Sequence, residues 1–262
     1  MHSTHLGQTT SIQELARGAD YPARVLAAIV EISLAKDPPA LLEGLMRATE
    51  SIGASASVFT AAIPEDGSRP SCFSVFACHP AFAHEQSNRD ALLDNPWWHF
   101  AQTHRKPGTN HEMQLQHAAD AASMEVARQY GFRSCLVVPT MSGTEPARQE
   151  MLCLGSECED DFEGSEARVV RALARSLASE LHDWLTGHLR RQLLGTTQLR
   201  ESDIRLLAME RRGLGTKEIA GLTGLSLASI NSRFQRINTY MNCTNRKDSA
   251  RRAAAYGLLE PL

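Results

Sequence analysis

The stretch GTKEIAGLTGLSLASINSRFQRIN at residues 215–238 decides the fold of the C-terminal part of this chain. Its first glycine precedes a short helical segment, for which Thr216 is predicted to be the N-cap. Gly224–Ser226 then predicts a tight turn, and Ser226 is suited to cap the next helix. Within that helix, apolar residues recur at i, i+4, i+7 and i+11, and these are Ile230, Phe234, Ile237 and Met241. One side of the helix is therefore predicted to pack against a core.

The opposite side of this helix carries hydrogen-bonding side chains, namely Asn231, Ser232, Arg233, Gln235 and Arg236. Asn and Gln can form two hydrogen bonds with adenine, and Arg can bond to guanine or to phosphate. A short helix, a glycine-containing turn and a second helix with such a face form the helix-turn-helix arrangement. The alternative is a solvated polar face on a small helical bundle.

Charge is distributed unevenly along the chain. Residues 191–262 contain twelve Lys and Arg against six Asp and Glu, a net charge of +6, and residues 1–190 carry a net charge of −9. Two further helices, Leu199–Gly213 and Lys247–Tyr256, are predicted to complete the basic region. An acidic body with a basic C-terminal module is typical of a chain whose C-terminus contacts a polyanion.

Residues 199–259 resemble the LuxR-type helix-turn-helix, also called NarL/FixJ-type. The matching residues are Leu206, Leu207, Gly213, Lys217, Glu218, Ile219, Ala220, Leu222, Leu225, Ser226, Ile230, Asn245, Arg246 and Ala250. The resemblance implies an interface with double-stranded DNA, and dimer contacts through the fourth helix. The residues expected to face bases are Asn231, Ser232 and Gln235, those expected against phosphates are Lys217, Arg233 and Arg236, and Ser229 belongs to the same interface.

Residues 1–190 alternate between helical and strand patterns. Amphipathic helices are predicted over Tyr21–Ala35 and Ala40–Ile52, separated by Pro38 and Pro39, and over Ala118–Tyr130 with Gly131 as the C-cap. Strands are predicted over residues 55–63, 71–77, 133–140 and 150–155. The predicted fold class is α+β. It combines an N-terminal α/β/α sandwich, sensor-like, with an antiparallel sheet of about five strands, and a C-terminal four-helix helix-turn-helix domain.

A long helix is predicted over residues 165–194. Its apolar stripe consists of Val170, Leu173, Leu177, Leu181, Trp184 and Leu185. The stripe can pack on its own domain, pair with a second copy, or do both. Residues 195–198 then predict a linker, so the predicted domains are residues 11–194 for sensing and dimerisation and residues 199–262 for DNA binding.

Residues 20–185 are similar, in diverged form, to the autoinducer-binding domain of quorum-sensing LuxR proteins. The segments that carry the similarity are His79–Phe82, Asn95–Trp98, Pro107, Tyr130–Cys135 and Val138–Pro139. The similarity implies a ligand-binding region in the N-terminal domain. Its candidate residues are Phe82, Gln86, Asp94, Asn95, Trp97, Trp98, Asn110 and Cys135.

Several of these residues depart from the family pattern. By spacing, Phe82, Gln86 and Asn110 stand where the family has Trp, Tyr and Trp, and Cys135 replaces Gly. Asn95 stands where an Asp accepts a hydrogen bond from an acyl-homoserine lactone, and a neutral Asn loses a charge-assisted contribution of about 1 kcal/mol. Three alternatives follow: a lactone ligand, another small apolar or amphipathic ligand, or an interior filled by its own side chains.

Composition and motifs exclude other classes. No apolar run approaches the ~18 residues of a membrane span, and the N-terminus lacks the basic start of a signal peptide, which predicts a cytoplasmic protein. The six cysteines and ten histidines lack metal-ligand spacing, so no metal and no cofactor is predicted. No nucleophile–base motif is present, which argues against an enzyme.

The functional prediction is a DNA-binding transcriptional regulator that forms a homodimer. Its predicted partner is double-stranded DNA, with a small signalling molecule and RNA polymerase as further candidates and no membrane. The alternative is an adaptor whose N-terminal domain binds another protein and whose C-terminal helices form an interaction bundle.

Overall fold

Backbone placement is described for residues 11–64, 70–86, 94–115, 117–141 and 148–259 of a computed structural model. The chain divides into two units. One comprises Met1–Thr60, Ser74–Thr140 and Glu150–Trp184, and the other comprises Ala61–Phe73, Met141–Gln149 and Leu185–Leu262.

Of the first three helices, the first and the third begin after a residue whose side chain caps them. α1 spans Ile12–Ala16, α2 spans Tyr21–Val30 and continues as a 3₁₀ turn at Glu31–Leu34, and α3 spans Pro38–Ile52. Asp37 Oδ1 accepts a hydrogen bond of 2.9 Å from the Ala40 N–H. The prediction that Pro38 and Pro39 lie outside this helix is wrong, because proline suits the first helical turn, where its missing N–H would have no partner.

A five-stranded antiparallel sheet forms the centre of the N-terminal fold. The strands are β1 Ala56–Ile63, β2 Ser71–Ala77, β3 Gly108–Thr109, β4 Ser134–Met141 and β5 Gln149–Ser156, in the order β2-β1-β5-β4-β3. Every residue of β1 is buried. Since successive side chains of a strand point to opposite faces, both faces of the sheet are covered there. The predicted α+β class is confirmed.

Within the residues that the structure describes, three helices lie between β2 and β4. They are α4 Pro80–Gln86, α5 Pro96–Thr103 and α6 Ala118–Arg128, and a 3₁₀ turn spans Asn110–Glu112. Gly131 follows α6 with a φ of +92°, a left-handed conformation that glycine adopts without strain. The predicted end of this helix is wrong by two residues, because the helix ends at Arg128 and Gln129, not Gly131, occupies the C-cap position.

Helix α7 spans Ala167–Thr196. The predicted apolar stripe is buried, with Val170, Leu177 and Leu181 fully inaccessible. The Trp184 indole N–H donates a 2.6 Å hydrogen bond to the Ala35 carbonyl. The helix continues two residues beyond the predicted end, so half of the predicted linker is helical.

Four short helices follow: α8 Glu201–Arg211, α9 Thr216–Thr223, α10 Leu227–Met241 and α11 Arg246–Ala255. Their buried core includes Leu206, Leu207, Ile219, Ile230, Phe234, Ile237, Met241, Ala250 and Ala253. In the same unit, Arg148 is only 1% exposed and donates a 2.9 Å hydrogen bond from Nη1 to the Ala255 carbonyl at the end of α11. The predicted four-helix C-terminal domain is confirmed.

Candidate functional site

The turn between α9 and α10 is set by two residues. Gly224 ends α9 with a φ of +69°, which glycine tolerates because it lacks a Cβ atom. Ser226 begins α10, and its Oγ accepts a 3.1 Å hydrogen bond from the Ser229 N–H. The predicted Ser226 cap is confirmed. The geometry fixes the direction in which α10 leaves α9.

The predicted Thr216 cap is wrong, because Gly215 occupies the capping position and Thr216 is already helical. Glu218 Oε2 accepts a 2.7 Å hydrogen bond from the Gly215 N–H, which supplies the partner that a glycine side chain cannot. The Thr216 hydroxyl instead accepts a 2.9 Å hydrogen bond from Arg246 Nη1.

Helix α10 has two distinct faces. Its four predicted core residues are at most 4% exposed, while Asn231, Ser232 and Gln235 are exposed on the opposite side. Ser229 is half-buried in the first turn. The structure therefore presents three adjacent hydrogen-bonding side chains together, and none of them is used to hold the helix in place.

The predicted basic residues differ in their surroundings. Lys217 is exposed in the first turn of α9. Arg233 is half-buried and lines a groove together with Ser202, Arg205 and Leu222. Leu222 is 66% exposed, so this matching residue of the motif is not part of the core. Of the three basic residues expected against phosphates, Lys217 and Arg236 are exposed and Arg233 is half-buried.

Arg236 is held by a buried acid. Its Nη2 donates a 3.1 Å hydrogen bond to Asp203 Oδ1, and Asp203 is fully buried in α8. Asp203 Oδ2 also accepts a 3.1 Å hydrogen bond from the Arg200 N–H. A buried carboxylate is stable when it is paired and hydrogen-bonded in this way. Asp203 thus positions Arg236, a role that the sequence analysis missed.

Arg246 ties α11 to the other three helices. Its Nε lies 3.0 Å from Glu210 Oε2 of α8, and the Glu210 side chain is only 5% exposed. Its guanidinium carbon lies 5.7 Å from the ring centre of Phe234 in α10, within the range of a cation–π interaction. With the bond to Thr216 of α9, one side chain spans the whole bundle. The motif match at Arg246 gave a signal for this role, but its partners are distant in sequence.

Two of the predicted ligand residues of the N-terminal unit, Phe82 and Trp97, belong to a cluster of aromatic rings. This aromatic cluster consists of Phe82, Trp97, Tyr130 and Phe132. The ring centres of Trp97 and Phe132 are 4.8 Å apart, and Phe82 lies 5.2 Å from Phe132 and 6.3 Å from Trp97. These separations are typical of packed aromatic pairs. Phe82, Trp97 and Phe132 are at most 1% exposed.

Both asparagines that stand at family ligand positions have partners within the chain. Asn95 is 2% exposed, and its Oδ1 accepts a 2.9 Å hydrogen bond from the Trp97 N–H as the cap of α5. Asn110 Oδ1 accepts a 3.2 Å hydrogen bond from the N–H of Cys135, which is fully buried. Each carbonyl oxygen thus serves the chain's own backbone.

Two other candidates hold buried polar atoms without a partner. Gln86 is 7% exposed and its Oε1 accepts no hydrogen bond, and Trp97 Nε1 likewise donates none. Gln86 lies one helical turn after Phe82 on α4, and Phe82 contacts Trp97. Trp98 is 2% exposed, and Asp94 is exposed before Asn95. An unpaired buried acceptor costs about 1–3 kcal/mol, so these atoms favour a molecule that pairs with them.

Two other kinds of site are absent from the part of the chain that the structure describes. There, no three His, Cys, Asp or Glu side chains come together as metal ligands would. Within the same residues, no helix combines the length and apolarity needed to cross a bilayer. A surface cavity of about 380 Å³ lies beside α5 and is lined by Pro96, His99, Phe100, His104 and Met113 among others.

Comparison with known proteins gives matches among solved structures. No protein-family model matches the chain, and no curated protein matches it. Escherichia coli SdiA superposes with a TM-score of 0.67 at 14% identity, over 91% of this chain and 99% of SdiA. SdiA in complex with octanoyl-rac-glycerol gives a TM-score of 0.66 at 13% identity, over 92% and 98%.

A third structure links this fold to a family. CepR2 from Burkholderia cenocepacia, an N-acylhomoserine lactone dependent LuxR family transcription factor, superposes with a TM-score of 0.52 at 16% identity, over 64% of this chain and 96% of CepR2. Such identities establish the fold. The resemblance read from the sequence is therefore confirmed at that level: the chain has the fold of SdiA, and over about two thirds of its length that of a LuxR family regulator.

Proposed function

We propose that the chain is a DNA-binding transcriptional regulator of the LuxR family. The observation that carries this proposal is the exposed face of α10, where Asn231, Ser232 and Gln235 lie side by side while the opposite face is buried. A helix of this kind fits the major groove of B-DNA, whose base edges match Asn and Gln. A regulator of this kind acts in the cytoplasm and contacts RNA polymerase at its promoters.

DNA binding is tested with the full chain and a duplex selected from a random-sequence pool. We expect fluorescence anisotropy to give tighter binding to the selected duplex than to a scrambled duplex of equal composition. The affinity should fall steeply with salt, because each phosphate contact releases counterions. Equal affinity for both duplexes at every salt concentration would contradict the proposal and favour the adaptor.

The roles of individual residues are tested by paired substitutions. Gln235→Ala should cost about 1–3 kcal/mol on the selected duplex and relax the base preference. Lys217→Ala should weaken binding to both duplexes alike and reduce the salt slope by about 1. Lys36→Ala removes the same charge from an exposed loop before α3 and is the matched control. The opposite pattern of effects would mean that the wrong face of α10 has been assigned to DNA.

The regulator is proposed to act as a homodimer that reads two half-sites about one helical turn apart. A two-fold symmetric protein favours a two-fold symmetric operator. The selected duplexes should therefore contain inverted repeats, which sequencing of the selected pool will reveal.

For the N-terminal unit we propose a small amphipathic ligand with a hydroxyl group. Gln86 Oε1 needs a donor and Trp97 Nε1 needs an acceptor, and a hydroxyl supplies both. The aromatic cluster offers an apolar contact for the rest of the molecule. A lactone is disfavoured because Asn95 Oδ1, at the family position for its amide, already accepts the Trp97 N–H.

Ligand binding is tested by thermal unfolding with octanoyl-rac-glycerol and an N-acylhomoserine lactone as the two probes. A ligand that binds the folded state raises the Tm by mass action. We expect a larger rise with octanoyl-rac-glycerol, and a reduced rise in Gln86→Leu, which keeps the apolar volume but removes the acceptor. A lactone effect that is larger, or a Gln86→Leu effect of zero, would overturn the ligand proposal while leaving DNA binding unaffected.

A further inference from the structure

Arg148 is a buried arginine that lies one residue before β5. Only 1% of its surface is exposed. Its Nη1 donates a 2.9 Å hydrogen bond to the Ala255 carbonyl of α11, and its Nη2 donates a hydrogen bond to the Thr186 hydroxyl of α7. Burial of a guanidinium is unfavourable unless its N–H groups are paired. Here the pairing joins three segments, since Thr186 lies 38 residues and Ala255 lies 107 residues after Arg148.

The carbonyl that Arg148 binds belongs to the last residue of α11. The final carbonyls of a helix have no partner within the helix and form the negative end of its dipole. A guanidinium suits this end because it is positively charged and its planar fork can donate to two acceptors at once. A lysine would have a single nitrogen to offer to Ala255 and Thr186 together.

The chain that follows α11 packs directly on the same part of α7. A Cβ atom added to Gly257 would lie 2.5 Å from Thr186 Cγ2, so the backbone runs against α7 at the residue that Arg148 binds. Further along α7, Leu193 belongs to the same buried core as Leu258. We call the contact of Arg148 with Thr186 and the end of α11 the Arg148 joint. All of its residues lie in the second unit.

The Arg148 joint gives the four-helix bundle a second attachment to α7. Residues 197–200 connect α7 to α8 without regular structure. By itself, a short connection of this kind lets the helices on its two sides reorient. The joint lies at the opposite end of the bundle, on its last helix, so the bundle is attached to α7 through both its first and its last helix. Helix α10, between them, is thereby held relative to the end of α7.

We infer that Arg148 is a positioning residue for DNA recognition, which fixes α10 relative to α7 and so sets the half-site spacing that a dimer accepts. The inference rests on the proposed function, since it requires a dimer that binds DNA. Two recognition helices match half-sites one helical turn apart only when the distance between the helices is fixed. Without the joint, each bundle can follow its own half-site, and the spacing matters less.

The preference for one spacing is tested with two duplexes that carry the same selected half-sites. One keeps the selected spacer, and in the other the spacer is longer by about five base pairs, which turns one half-site to the opposite side of the duplex. The wild type should bind the longer duplex at least about 100-fold more weakly, because only one half-site can be engaged at a time. For Arg148→Met, which keeps an apolar stem but removes the charge and the donors, the loss should be less than about tenfold.

The ratio of the two Kd values, measured by fluorescence anisotropy, separates positioning from stability. A variant that is merely less stable has less active protein for both duplexes, so the ratio stays unchanged. Arg190→Met is the matched control, because Arg190 is exposed on the same half of α7, and it should keep the wild-type ratio. Thr186→Val removes one acceptor and should lower the ratio. Adding it to Arg148→Met should change the ratio no further, since both substitutions break the same contact.

A second measurement needs no DNA. Trypsin can cleave after Arg200, in the connection between α7 and α8, when this segment moves into the active site of the protease. Arg148→Met should be cleaved there at least about threefold faster than the wild type and Arg190→Met, because the bundle has lost its second attachment. Circular dichroism checks that all three proteins are folded under the conditions used.

Three results would overturn the inference. They are a ratio of Kd values in Arg148→Met equal to that of the wild type, a wild type that binds both duplexes equally well, and equal rates of trypsin cleavage after Arg200. A chain that binds no duplex at all would overturn the proposed function, and with it the role of Arg148 in spacing. The failure of the inference and the failure of the proposed function therefore give different results.

Discussion

The amide side chains of α10 and those of α4 and the start of α5 differ in exposure and in hydrogen bonding. On α10, Asn231 and Gln235 are exposed and free of structural duties. Around the aromatic cluster, Gln86 and Asn95 are buried, and Asn95 is committed to the start of α5. The α10 side chains are available to an outside partner, whereas the Asn95 side-chain oxygen is already bonded to its own chain.

The difference shows that a fold can be kept while the side chains at its binding positions change their roles. Helix α10 keeps its outward groups free because Asp203 and Arg246 hold the bundle from within. The N-terminal unit instead fills its centre with rings that touch one another. Conservation of the fold is compatible with both, since packing and capping set the backbone.

The largest expected effect tests whether the aromatic cluster is a packed core. Trp97→Ala should lower the free energy of unfolding by about 3–5 kcal/mol, because it removes a buried ring and leaves a cavity. Urea denaturation followed by circular dichroism measures the change. Gln102→Ala, at an exposed position of the same helix, is the matched control. A loss below about 1 kcal/mol would mean that the cluster is open rather than filled.

The next effect tests the support beneath α10. Arg246→Ala should lower the free energy of unfolding by about 3 kcal/mol, because it leaves the Glu210 carboxylate buried without its partner. The neighbouring exposed Lys247→Ala is the control and should change stability by less than about 0.5 kcal/mol. Both variants are measured by urea denaturation. If the two variants proved equally stable, the four helices would not depend on this contact.

The smallest effect concerns pH and the N-terminal unit. Burial raises the pKa of the Tyr21 hydroxyl to about 12, and that hydroxyl donates a 3.0 Å hydrogen bond to the Ile52 carbonyl. The pKa in the folded state is higher than that in the unfolded state, so this contribution is present below pH 10 and is lost as the pH rises toward 12.

Tyr21→Phe should lower the free energy of unfolding by about 1 kcal/mol at neutral pH, because the hydrogen bond to Ile52 is missing. The variant should not lose this contribution at high pH, because it has no hydroxyl group to titrate. Urea denaturation of the two proteins at pH 8, 10 and 11 gives the difference between them. The difference should shrink as the pH rises. A constant difference would show that the hydroxyl does not titrate differently in the folded state.

Much of the C-terminal module could be predicted from sequence because its signals are local. The four core positions of α10 and the Ser226 cap all lie within a few residues of the structure they determine. The ion pairs could not be predicted in the same way. Asp203 and Arg236 are 33 residues apart, and neither the charge pattern nor the periodicity says which acid meets which base.

The N-terminal unit is harder to predict from sequence because its contacts join residues that are far apart in the chain. β3 has only two residues, too few for an alternating pattern, and is defined by pairing of Gly108 with Val137 on β4. The role of Asn95, however, had a local signal. An Asn followed by Pro fits the N-cap and the first position of a helix. The pair Asn95–Pro96 therefore predicts that Asn95 caps a helix.

Because Asn95 caps α5, the part of its side chain that is left for a ligand is a hydrogen-bond donor rather than an acceptor. A side-chain amide has one accepting and one donating terminal atom, and the accepting oxygen is taken by the Trp97 N–H. An aspartate there would keep a second oxygen after capping, whereas the asparagine keeps an NH₂ group. A ligand of the kind proposed for the N-terminal unit would therefore have to present a lone pair to the amide nitrogen of Asn95, through a hydroxyl, carbonyl or ether oxygen.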